Sequence, residues 1–153
     1  MKMNVKIKKL HPEATIPVYA KPGDSGFDLY ALEDVIIFPG ETKKVQTGLA
    51  FEVPSGYELQ VRPRSGVTFN TKLRVQFGTV DSGYRGEVGV IVDHLFDGGS
   101  LETLFGKPDE ILIHKGMKIA QGVIAPVVRV SFEEADELSD SERGDGGFGH
   151  TGV

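Results

Sequence analysis

Asp81 and Tyr84 stand three residues apart in GTVDSGYRGEVGVI, residues 78 to 91. One β-rich run ends at Val80 and another begins near Glu87, so this stretch reads as a hairpin with a carboxylate at its rim. An aspartate on a rigid rim can take a proton from water as a general base. The same residue can instead close an Asx-turn on the backbone ahead of it. Tyr84 is either packing or a platform for a sugar ring, and Arg85 and Glu87 read as a structural pair across the hairpin. In PRSG, residues 63 to 66, a turn after a strand offers a cation, a hydroxyl and a glycine amide. Arg64, Ser65 and Gly66 could hold phosphates together there, or form a plain solvated turn. SGFDLYA, residues 25 to 31, sets Asp28 among apolar neighbours, where an acid needs donors or a cation. A structural bond is one role for it, water-mediated help to a metal another. In HKGMKIAQ, residues 114 to 121, Gln121 is a phosphate donor or an ordinary strand glutamine.

The ending RGDGGFGHTGV, residues 143 to 153, comes close to the phosphate-binding P-loop, with His150 where that loop has lysine. A P-loop lies between a strand and a helix, and only two residues follow Thr151. What remains is the physics of the parts. Glycine amides approach phosphate oxygens closely, Arg143 can fork onto a phosphate, and Phe148 can stack on a base. The alternative is a low-complexity terminus with too little apolar surface to order itself.

The elements that must position these groups are strands. Val, Ile, Phe and Tyr recur at period two in short runs at 5–10, 34–38, 44–53, 57–63, 73–77, 87–95, 110–114 and 118–132, punctuated by turn signals such as PGE, PSG and DSG. Helical periodicity is scarce, so the chain reads as all-β, a sandwich, jelly roll or barrel. With 153 residues, 39% of them hydrophobic, it fits one domain with a real core. Residues 1–132 form that domain, with an excursion at 96–109 that holds one helical turn at LETLF. Residues 133–153 leave it as an acidic linker and a glycine-rich arm.

There is no cysteine, and the four histidines lack metal-ligand spacing. The basic start alternates apolar and polar residues and reads as a strand, not a signal peptide. No stretch is long enough to span a bilayer. A net charge of -5 argues against duplex nucleic acid as the main partner. The expectation is a soluble intracellular protein without membrane or nucleic-acid partners.

In this order the five stretches SGFDLYA, PRSG, GTVDSGYRGE, GMKIAQ and RGDGGFGHTG resemble the five motifs of the trimeric dUTP pyrophosphatase (dUTPase) family. The likeness covers nearly the whole chain apart from 96–109 and the acidic linker. The resemblance implies a jelly-roll-like β-clip fold and a homotrimer with sites at subunit boundaries, where the tail of one chain closes over a site formed by others. It makes Asp81 the base that activates water against the α-phosphorus of dUTP, giving dUMP and pyrophosphate. Tyr84 would lie against the deoxyribose and exclude a 2′-hydroxyl. The backbone of the hairpin, Gly78 and Val80 included, would read the uracil edge. Arg64, Ser65, Gly66 and Gln121 would hold the phosphates, joined by Arg143, while Phe148 and Gly149 cover the base. Mg2+ would arrive on the triphosphate, and Asp28 would touch only its water shell. The family implies the cytoplasm, or a host cytoplasm for a viral chain.

His150, Met117 and the Ser-Gly pair at 65–66 depart from residues common in the family, and Val75 and Gln76 stand where some members place an asparagine. The longer 96–109 excursion is a candidate surface for a protein partner. Two rivals stay open: a dCTP deaminase of the same fold, for which Glu87 is the candidate glutamate, and a nucleotide-sensing regulatory protein that has kept the fold.

Overall fold

The structure is a computed structural model that describes residues 3–95 and 110–146. The excursion at 96–109 with its LETLF turn, and Phe148, Gly149 and His150 of the tail, lie outside the described residues. Ten strands and one short helix follow in order: β1 (Lys6–Lys9), β2 (Phe27–Tyr30), β3 (Val35–Ile37), β4 (Thr42–Glu52), β5 (Tyr57–Pro63), α1 (Ser65–Asn70), β6 (Leu73–Val75), β7 (Gly78–Val80), β8 (Glu87–His94), β9 (Ile111–Ile113) and β10 (Lys118–Pro126). They form two four-stranded sheets, β1-β4-β8-β6 and β2-β10-β5-β7, and a small β3-β9 pair. Every pairing is antiparallel. The fold is all-β, as the alternating pattern predicts, and a jelly roll, as the resemblance implies.

Period two explains the core. Val88, Val90 and Val92 of β8 point inward with Leu59 and Val61 of β5, Leu29 of β2 and Ile119 of β10. Phe27 and Phe51 stack at 6.1 Å between ring centres and tie β2 to β4. The β4–β8 ladder slips between Gln46 and Ala50. Gly48 supplies that bulge with φ of 69°, a conformation side chains disfavour. A Cβ there would also stand 2.8 Å from the Ala14 methyl. Its N–H donates to Glu87 Oε1 at 2.7 Å, and its carbonyl accepts from Leu10 N–H at 2.8 Å.

Three local expectations need correction. PRSG does not form a plain turn: Pro63 ends β5, Arg64 is the extended N-cap, and α1 starts at Ser65. Only Val67 of that helix is buried, so six residues carry no readable helical period. Arg74 Nη1 donates to the carbonyls of Thr68 and Thr71 and holds the helix's far end. The last strand stops at Pro126 and not at residue 132, because its partner β5 begins opposite, at Tyr57. Beyond the bond from Val127 N–H to the Gly56 carbonyl, residues 128–132 are exposed. SGFDLYA is itself a strand, β2, with Phe27 and Leu29 buried and Asp28 and Tyr30 on the other face. No helix among the described residues is long and apolar enough to cross a membrane.

Candidate active site

Two clefts gather the residues whose types suggest chemistry. The first lies where β2, β10 and the β5–α1 junction meet, a hollow of about 340 Å³ lined by Asp28, Arg64, Ser65, Gly66, Lys118 and Gln121 among others. Register explains the gathering, since Gln121 on β10 stands between Asp28 on β2 and Arg62 on β5. The Asp28 side chain is 13% exposed and bridges two cations, Arg64 Nε at 3.0 Å and Lys118 Nζ at 2.8 Å. Its hydrogen bond and its charge hold the Lys118 ammonium above the usual lysine range. Arg64 Nη1 donates to the Lys118 carbonyl at 2.9 Å, and Gln121 Nε2 donates to the Pro63 carbonyl at 2.9 Å. The guanidinium is thus fixed in direction before any ligand arrives. Lys118 escapes sequence reasoning because a lysine opening a strand looks like any solvated cation.

The second cleft, of about 390 Å³, holds Asp81, Ser82 and Gly83 with Gly56, Tyr57, Glu58, Val127 and Arg129. The expected hairpin does not form: β7 pairs with β5, and β8 with β4 and β6, so residues 81–86 are a turn that crosses from one sheet to the other, closed by Tyr84 N–H donating to the Asp81 carbonyl at 3.0 Å. The Asp81 side chain therefore forms no Asx-turn. Among the described residues its carboxylate accepts no hydrogen bond and meets no cation, and it is exposed. Arg85 and Glu87 do not pair. Arg85 Nη1 donates to the Ser82 and Tyr84 carbonyls at 2.6 and 2.9 Å, and Glu87 serves the bulge at Gly48. Arg129 escapes sequence reasoning because nothing in an exposed tail indicates which turn it lies beside.

The two clefts are not one site within a single chain. Val80 pairs with Leu59 and Gly78 with Val61, so Asp81 lies at the Glu58 end of β5 while Arg64 follows its other end. Six residues of strand separate them, about 20 Å at the usual rise. Arg143 joins neither cleft. It is exposed and its Nε donates to the Gly146 carbonyl at 2.8 Å.

The dUTPase family model matches residues 12–152, nearly the entire chain. The chain belongs to the dUTPase family. It is 51% identical to the deoxyuridine 5′-triphosphate nucleotidohydrolase of Nautilia profundicola, over 98% of this chain and 99% of that one. It is 47% identical to the protein of that name from Clostridioides difficile, over 97% and 98% respectively. Its fold superposes on a dUTPase of Staphylococcus bacteriophage 80alpha with dUpNHpp at a TM-score of 0.87, with 30% identity, 99% of this chain and 100% of that one.

In this dUTPase-family chain no group of three His, Asp or Glu side chains converges among the described residues. Both Asp28 oxygens are engaged by cations. That donor set fits a metal ion carried by a nucleotide and met through water better than one seated directly on the protein.

Proposed function

We propose that this dUTPase-family enzyme hydrolyses dUTP to dUMP and pyrophosphate, with Asp81 as general base for the attacking water. The observation that carries the reading is the Asp81 carboxylate, without a partner among the described residues, on a turn braced by Arg85 and closed by Tyr84 N–H. A base held in place and left unpaired is free to accept a proton from water. The other roles follow the chemistry of each group. Arg64, Ser65, Gly66 and Gln121 bind the phosphates, with Arg64 aimed by Asp28. Tyr84 lies against the deoxyribose, and the Gly78–Val80 backbone reads uracil. Arg143 joins the phosphates from the tail while Phe148 and Gly149 cover the base.

Mg2+ enters as part of the nucleotide substrate, and when bound it neutralises phosphate charge and orients the chain for in-line displacement. Asp28 reaches it through water. Asp81 and Arg64 must act on one nucleotide, and about 20 Å of β5 divides them within one chain. This supports a homotrimer in which each site takes Asp81 from one copy and the phosphate cleft from another. The uncovered apolar strip Val128, Val130 and Phe132 supports the same reading. A deaminase of this fold would need Glu87 as its base, and that carboxylate is engaged by Gly48 N–H.

The test is product release from dUTP, dCTP, dTTP and UTP with Mg2+. Pyrophosphate from dUTP alone is expected, and ammonia from dCTP would overturn the assignment. Asp81→Asn is expected to slow turnover by about 10²–10⁴-fold with nucleotide affinity nearly intact. Unchanged turnover removes Asp81 from the role.

A further inference from the structure

Tyr84 is pinned at both ends. Its N–H donates to the Asp81 carbonyl and its Oη donates to the Glu87 carbonyl, each at 3.0 Å. The ring therefore folds back along the turn over residue 86 while remaining 46% exposed, which leaves an open surface for a ligand. Residue 86 is glycine, and the backbone does not ask for one. Gly86 is absent from the positive-φ glycines of the described chain, so any residue could adopt its conformation. Space is what forbids a side chain. A Cβ at Gly86 would fall 2.5 Å from Tyr84 Cζ and 3.0 Å from Cε2. Carbon atoms keep roughly 3.5–4 Å apart, so the ring would have to move by on the order of 1 Å.

We propose that Gly86 is a specificity-positioning residue: by leaving room beneath Tyr84 it lets the ring dock on the Glu87 carbonyl, and so sets the wall that refuses a ribose 2′-hydroxyl. The inference rests on the reading that Tyr84 lies against the sugar. Because the same turn carries Asp81, the wall and the base are referenced to one piece of backbone. The three atoms nearest a methyl group at residue 86 all belong to the free end of the Tyr84 side chain, so the ring lifts and its bond to Glu87 is lost.

The readout is the ratio of kcat/KM for dUTP to that for UTP; a merely structural loss would lower both kcat/KM values and leave their ratio unchanged. Gly86→Ala is expected to reduce this ratio by about tenfold. Tyr84→Phe adds no atom and removes only the pin, so it tests the idea even if the alanine variant does not fold, and it should reduce the ratio in the same direction. In a Tyr84→Ala background, adding Gly86→Ala should change the ratio no further, since the two act through one ring. A ratio unchanged or raised in both Gly86→Ala and Tyr84→Phe overturns the inference, as does an equal effect of Gly86→Ala with and without the ring. If Tyr84→Ala lowers the ratio and Gly86→Ala does not, the sugar-wall reading stands and this inference fails. If Tyr84→Ala leaves the ratio intact, the sugar-wall reading itself fails.

Discussion

Asp28 shows how one carboxylate can prepare an anion site. Charged groups at 13% exposure are costly unless paired, and here the acid is satisfied by two cations that a phosphate would also attract. The arrangement keeps Arg64 oriented. Its pH dependence has a definite sign. The folded pKa of Lys118 is raised by Asp28, so its stabilisation is complete below the unfolded value and fades as pH climbs through the folded one. Lys118→Met should therefore lower the thermal midpoint relative to the parent at neutral pH, with the gap closing only above about pH 10.4. A gap that persists unchanged in strong alkali would deny the pairing. At this scale residue type was informative: an acid among apolar neighbours, Asp28, demanded a partner, and it has two. Which cations they were depended on register between β2 and β10, which no local pattern records.

At the scale of elements, the bulge in β4 joins two parts of the chain that the sequence keeps far apart. Glu87 opens β8 and binds Gly48 N–H, while Thr47 Oγ1 donates to the Val88 carbonyl at 2.6 Å. The β8 end of the Asp81 turn is thereby anchored to β4, its neighbour in the sheet. Glu87→Ala should destabilise the fold by roughly 1–3 kcal/mol, because it strands a half-buried N–H, and urea denaturation will measure it. Glu87→Gln keeps an acceptor and should recover much of the loss. Period-two alternation made most strands legible, and their ends and the helix α1 were not. β10 stops where its partner runs out, and α1 buries a single side chain, so both depend on neighbours and not on local pattern.

For the whole molecule, the distance along β5 from Asp81 to Arg64 predicts complementation. Chains carrying Asp81→Asn and chains carrying Arg64→Ala should each be nearly inactive, and mixed assemblies should regain about a quarter of the sites, since a shared site draws each residue from a different copy. No recovery after subunit exchange would mean that one chain supplies both. Removal of residues 143–153 should leave a folded assembly with little activity, checked by circular dichroism, gel filtration and pyrophosphate release. The last strand among the described residues ends at Pro126, and residues 128–145 are exposed.

By itself the sequence determined the β architecture, through alternation and turn residues, and the chemical vocabulary of the site, through five short motifs in order. Only the tertiary structure decided which of those residues meet. Strand pairing between segments remote in the chain put Asp28, Arg64, Lys118 and Gln121 in one cleft at one end of β5 and held Asp81 beside its other end. Register is a property of two partners, and a single run of residues carries only half of it.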